Sequence, residues 1–270
     1  MTGLIGVLLL GAMAPAQQDR EQQPAGTQSA TQEYDALSQE YTQAYRGHYQ
    51  KYQEELEKAK AAGASTMPSF GRAALAAEWV PRFQTGAAKY KGQDGAMPFL
   101  LWIAANGKAA DQGGAIATLL ADHVASPQFG ETVAAIQRMS RQVGEERARK
   151  VAAEVLARNQ ARNVQAQAYL LLATVTFDVS RTAFAGESPG TAEQRRKTAI
   201  ESAVSDLTKG VTKADDGGLK ARMEGLLFEL QRLQPGMTVP EIEGNDLDGK
   251  AFKLSDYRSK VVLLDFWGDW

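Results

Sequence analysis

Hydrophobic positions recur at three- and four-residue steps along most of the chain and switch to alternation only near its end. Tyr34, Leu37, Tyr41, Tyr45, Tyr49, Tyr52 and Leu56 fall on one helical face, with Glu54, Glu55, Glu57 and Lys58 off that line. Such a stripe ordinarily packs on neighbouring helices with its hydroxyls at the rim; a stacking platform for a ligand is the sharper alternative. Gly47 weakens the helix, and residues 63–68 (GASTMP) end it. Leu75, Trp79, Phe83, Ala87 and Tyr90 make a second stripe, with Pro81 marking a kink or a new first turn. Phe99, Leu100, Ile103 and Ala104 open a third. Residues 115–124, 131–139 and 145–159 continue the period, punctuated by Gly113-Gly114, Ser126-Pro127 and Gly144. Residues 164–184 are apolar enough for a central helix, although Thr174-Val175-Thr176-Phe177 has strand propensity. Thr191 and Gln194 have capping-box spacing and predict a helix through Leu207, and Gly217-Gly218 precedes a last one over 219–233.

These segments predict a mainly α domain of helical hairpins over residues 33–234, either a tetratricopeptide-like solenoid or a bundle. Ala96-x-x-x-Leu100 and Ala166-x-x-x-Leu170 echo each other at close to twice a period of roughly 34 residues, which favours the solenoid.

The amino terminus differs. Residues 4–13 (LIGVLLLGAM) form an apolar run too short for a bilayer crossing of roughly 20 residues. Ala14-Pro15-Ala16 then offers a small-x-small cleavage pattern, so residues 1–16 are expected to be a secretory signal peptide, with export to the periplasm or exterior and no membrane span after cleavage. Met1-Thr2-Gly3 lacks the usual positive charge of such a leader. Residues 17–32 carry no large apolar side chain and are expected to be a disordered linker.

Composition narrows the chemistry. With 30 Lys+Arg against 32 Asp+Glu there is no basic footprint, so nucleic acid is not an expected partner. The sequence holds no cysteine and only His48 and His123, which removes disulfides, thiol catalysis and a histidine-rich metal site from the chain as it stands. No metal and no cofactor is expected. Phosphate-loop, H-E-x-x-H and G-x-G-x-x-G motifs are missing. Residues 186–190 (GESPG) match G-x-S-x-G, but the residue after Ser188 is Pro189, which has no N–H for an oxyanion hole, and both histidines precede the serine. That segment reads as a loop. Arg147, Arg149 and Lys150, like Arg195, Arg196 and Lys197, follow glutamates and read as solvated helix faces. His123 reads as a helix-end residue.

At Pro235 the texture changes. Ile242 and Phe252-Lys253-Leu254 flank a polar turn containing Asp248-Gly249, which predicts a β-hairpin. Residues 261–267 (VVLLDFW) are apolar on both faces and predict a central strand covered on each side. A hairpin and one two-faced strand cannot cover themselves, so the domain beginning near Pro235 is expected to be incomplete.

The stretch V-P-x-I-x-x-x-D-L-D-G-K-x-F-x-L-S-D-Y-R-x-K-V-V-L-L-D-F-W-G-D-W resembles the start of exported thioredoxin-like proteins of the redoxin (alkyl hydroperoxide reductase/thiol-specific antioxidant) group. The resemblance covers residues 235–270 and implies the first hairpin and central strand of an α/β thioredoxin-like domain. It implies that a C-x-x-C pair follows the W-x-x-W-type stretch at a helix amino terminus, where the thiolate pKa is lowered. It also implies a proton-relay role for Asp265, buried behind the cysteines, and active-site flanking positions for Trp267 and Trp270. An incidental strand residue and plain core aromatics are the ordinary alternatives. The F-W-G-D-W wording fits the C-x-x-C oxidoreductases better than the peroxide-reducing members, which use one cysteine in a T-x-x-C setting. The expected function is an exported thiol–disulfide oxidoreductase, present here without its catalytic cysteines and acting on protein thiols and disulfides, with a helical module available to a protein partner. The competing expectation is a helical scaffold with a non-catalytic redoxin-like tail.

Overall fold

The computed structural model describes residues 25–265 apart from 183, 185 and 247. Among these the protein is mainly helical, with one small two-stranded antiparallel sheet. The signal-peptide expectation for residues 1–16 lies outside the described residues, as do Trp267 and Trp270. Two compact units divide the chain, one ending at Asp111 and one beginning at Gln112. The helical region expected to be a single domain is thus parted inside a helix, where no Pro/Gly-rich linker marks the sequence.

The first unit is built on α1 (Ala25–Ala61), α2 (Arg72–Lys89) and α3 (Met97–Asn106). Its core is aromatic. Phe83 and Trp102 stack with centroids 3.7 Å apart, and Tyr34 meets Phe99 edge-on at 5.4 Å. Tyr41 does the same with Trp102 at 4.9 Å. This part of the tyrosine stripe is therefore the packed face of an amphipathic helix. Pro81 stays inside α2 rather than starting a new helix, and the Thr85 hydroxyl donates to its carbonyl at 3.0 Å.

The expected linker over 17–32 is corrected from Ala25 onward, where α1 begins. Ala30 is 1% exposed, and its methyl packs on the backbone at Gly95 so closely that a Cβ there would meet it at 2.5 Å. A small side chain against a glycine buries surface that a search for large apolar residues overlooks.

The second unit continues from α4 (Ala109–Thr118) through a π-turn (Leu119–His123), α5 (Phe129–Arg138), the short α6 (Ser140–Val143), α7 (Glu145–Arg158), α8 (Arg162–Ser180), α9 (Pro189–Lys213) and α10 (Gly217–Arg232). From α7 on, successive helices pack on one another, and α5 also packs on α8. Helix lengths among the described residues run from 4 to 37 residues. Leu170, Leu207 and Met223 bring α8, α9 and α10 together at full burial. Thr174-Val175-Thr176-Phe177 is helical despite its strand propensity, and the Thr174 hydroxyl donates to the Leu170 carbonyl at 2.8 Å. Gly113 and Gly114 sit within α4 rather than breaking it. The cap of α9 is Ser188, three residues before the Thr191 expected from spacing; its hydroxyl accepts the Thr191 N–H at 3.2 Å, and Pro189 fills the first helical position.

The hairpin is β1 (Glu243–Asn245) and β2 (Ala251–Lys253), antiparallel with Glu243 opposite Lys253, Gly244 opposite Phe252 and Asn245 opposite Ala251. The central strand expected at 261–267 is not formed over residues 261–265, which pair with no strand and are exposed. A strand is held by its neighbours, and neither strand of the one described sheet pairs with this run. Residues 266–267 lie outside the described residues.

Candidate functional site

The segment from Pro235 is assembled from local hydrogen bonds. Gln234 is tied down first: its side chain donates to the Glu229 carbonyl at 3.0 Å and accepts from Arg196 at 2.8 Å. Gly236, at φ +86°, then turns the chain, closed by the Met237 N–H on the Gln234 carbonyl at 3.0 Å. The hairpin turn is organised by Asp246. Its carboxylate accepts the N–H groups of Asp248 at 3.0 Å and Lys250 at 2.9 Å, while Gly249 supplies the left-handed backbone at φ +78°. The sequence pointed to Asp248-Gly249; the signal it underused is an aspartate two residues ahead, the usual organiser of an Asx turn.

A second carboxylate fastens the strands to the short 3-10 turn that follows (Leu254–Tyr257). Glu241 Oε1 accepts the Ser255 N–H at 2.9 Å, and the Leu254 N–H reaches the Ile242 carbonyl at 2.9 Å. The Ser255 side chain and backbone together hold the Glu241 carboxyl below the ordinary carboxylate range. Phe252 packs edge-on against Tyr257 at 6.5 Å, and Lys253 bridges to Glu243 across the strands at 2.6 Å. Both charges of that bridge are more than half exposed, so it sets register more than it stabilises. Ser259 adopts φ 69° just before the apolar run.

Val261 and Leu263 are then almost wholly exposed, at 103% and 92%, and Val262 and Leu264 are exposed as well. Asp265 is exposed with them. No layer among the described residues covers it. The proton-relay assignment needs burial that these residues do not provide. The expected flanking aromatics Trp267 and Trp270 lie outside the described residues.

Elsewhere, the loop expected over residues 186–190 ends at Ser188: Gly186 has φ +79°, Ser188 caps α9 with its hydroxyl 2.9 Å from that of Thr191, and Pro189 and Gly190 already belong to that helix. His123 is 3% exposed within the π-turn of the second unit. An open groove of about 780 Å3 lies over α7, α8 and α9, lined by Arg149, Thr176, Gln194, Arg195, Thr198 and Ser202 among others. Its cations are already compensated. Arg149 pairs with Glu145 at 2.8 Å, and Arg195 holds Glu187 through two bonds of 2.8 and 2.9 Å, keeping that carboxyl below its usual range. The sequence places Arg195 on a solvated face after a glutamate; its carboxylate partner is Glu187, in the loop before the helix. Among the described residues, no cluster of three or more His, Asp or Glu is placed to hold a metal, and no helix is long and apolar enough to cross a membrane.

Comparison with known proteins adds one finding. The chain is locally similar to thioredoxin-like thiol-disulfide oxidoreductases. Thiol-disulfide oxidoreductase ResA of Geobacillus thermodenitrificans is 49% identical over 35 residues, which is 13% of this chain and 20% of that protein. ResA of Geobacillus kaustophilus is 51% identical over 35 residues, with the same shares. ResA of Bacillus anthracis is 36% identical over 47 residues, 17% of this chain and 27% of the relative. The chain thus spans 20–27% of the length of these curated relatives. No family model matches the chain, and no solved structure matches it.

Proposed function

We propose that this chain leads into an exported thioredoxin-like thiol–disulfide oxidoreductase, with the helical units preceding a redox domain that opens near Pro235. The observation that carries the reading is the 49% local identity to a thiol-disulfide oxidoreductase. A physical argument supports it independently. Four consecutive apolar side chains stand exposed at 261–264, and burying each Val or Leu is worth about 1.5–3 kcal/mol. In this reading they become the central strand of a sheet completed and covered by polypeptide after Trp270, which also carries the cysteine pair this sequence lacks.

The chemistry is dithiol exchange. A thiolate at a helix amino terminus attacks a substrate disulfide and forms a mixed disulfide, and the second cysteine then resolves it. Two electrons and two protons pass to the substrate, whose S–S bond becomes two thiols while one S–S bond forms in the enzyme. Once the covering layers bury Asp265, its carboxylate accepts the proton of the resolving thiol. Trp267 and Trp270 flank that site. Residues 1–16 direct export, which places the thiol pair where disulfides persist.

A second reading, a helical scaffold with a non-catalytic tail, draws on the described core lying almost wholly in helices. Insulin reduction by the full-length gene product separates the two. The redox reading expects dithiol-dependent turnover that falls at least tenfold on replacing the cysteines by serine, whereas the scaffold reading expects no turnover.

A further inference from the structure

The carboxyl-terminal half of α1 presents Tyr45, His48, Tyr49 and Tyr52, and one side chain from outside the helix meets all four. The Phe70 ring lies 5.1 Å from Tyr45, 5.4 Å from His48, 5.4 Å from Tyr49 and 5.5 Å from Tyr52, edge-on to Tyr45 and Tyr49. Phe70 belongs to residues 63–71 (GASTMPSFG), which join α1 to α2. Both ends of that connection are fixed through the backbone. Gly63, at φ +62°, and Ala64 close onto the last turn of α1, and the Gly71 carbonyl accepts the N–H groups of Ala74 and Leu75. Between those ends, no hydrogen bond involves residues 65–70 among the described residues. Ser65, Thr66 and Ser69 are exposed, and so is Met67 at 49%. The connection is a strap whose aromatic contact with the helix is the Phe70 ring, with Pro68 half-buried beside it.

The platform under that ring is half-open. Tyr49 is 39% exposed, and none of the residues of α1 beyond Leu37 is buried. A set of tyrosine edges and faces selects an aromatic guest by geometry, because edge-on pairs gain energy beyond the area they cover. Pro68 adds a second feature of a ligand, since a proline restricts the residue before it towards extended backbone and so lowers the entropy lost on docking. We propose that Tyr45, His48, Tyr49 and Tyr52 form a docking platform for a partner polypeptide bearing an aromatic anchor two residues after a proline, with Met67-Pro68-Ser69-Phe70 as the built-in occupant that the partner displaces. Exchange sacrifices no strap hydrogen bond, and the ring packing given up in cis is remade in trans. The inference stands on the first unit alone and is independent of the redox reading.

The test uses the whole chain and the peptide acetyl-STMPSFG-amide. A platform blocked by its own strap binds in proportion to the fraction left open. The Phe70→Ala chain should therefore bind the peptide at least about tenfold more tightly than the unaltered chain does. Binding should vanish when Ala replaces the peptide's Phe, and again when Tyr49→Ala is added to Phe70→Ala. Equal affinity for both chains, or no binding by a Phe70→Ala chain of unchanged helical content, overturns the proposal. If Phe70→Ala loses helical content, 4-fluorophenylalanine at position 70 replaces it. Excess peptide should then move the fluorine resonance to its solvent-exposed value, and a resonance unmoved at saturation overturns the proposal.

Discussion

Glu33 is the residue through which the first unit feels acid. Its carboxylate accepts from Lys89 and from the Tyr90 hydroxyl at 2.8 Å, and the Lys89 bond, then that of Tyr90, holds its pKa below the ordinary 4.5. A depressed folded pKa contributes stability that is present above 4.5 and is lost as pH falls through the folded value. Glu33→Gln should therefore flatten the loss of helical signal between pH 5 and pH 3, as followed by circular dichroism; an unchanged acid profile would remove Glu33 from this role. Glycines make a second contrast at this scale. A Cβ on Gly86 would stand 2.3 Å from the Phe99 ring, so Gly86→Ala should cost about 1–3 kcal/mol by overpacking. Gly113 has nothing within 4 Å inside α4, so Gly113→Ala should stabilise by about 0.5–1 kcal/mol. Urea unfolding of both variants checks the pair. The sequence showed two punctuating glycines at 113–114 and none of this difference, because a glycine's neighbour in space is not its neighbour in the chain.

Elements begin and end where side chains satisfy their backbones. Ser188 caps α9 and Asp216 caps α10, the latter accepting the Leu219 N–H at 2.6 Å. Ser188→Ala should lower stability by about 1 kcal/mol. Thr191→Ala keeps the cap and should cost less, the reverse of the order that the Thr191 to Gln194 spacing predicts. Asn159 does more. It is 1% exposed, and its amide donates to the Val124 carbonyl at 2.7 Å and the Ser126 carbonyl at 2.8 Å, stitching the π-turn region to the end of α7. Asn159→Ala strands the Val124 carbonyl, while the Ser126 carbonyl keeps the Phe129 N–H at 3.1 Å, and should cost about 1–3 kcal/mol, measurable by thermal unfolding. Helices were legible at this scale because the period of the apolar positions is a local property, and the hairpin was legible because an Asp-Gly turn carries its own geometry. Residues 261–265 were not, since apolar residues name a strand only when another strand pairs with them.

For the whole molecule, an amphipathic pattern foretold helices but not their grouping. The division at Asp111 and Gln112 falls within α4, where composition does not change. The aromatic core of the first unit was visible only as separate stripes, Tyr34 and Tyr41 on one and Phe83 on another, until α1, α2 and α3 brought them into contact. The redox reading belongs to this scale as well, because it joins a helical module to a site whose nucleophile is absent from these 270 residues. The most direct measurement is the coding sequence read onward from the codon for Trp270. The account predicts a C-x-x-C pair opening within about four residues, at the start of the helix that would lower its thiol pKa. A stop codon at that point, or a continuation without cysteine, would contradict it.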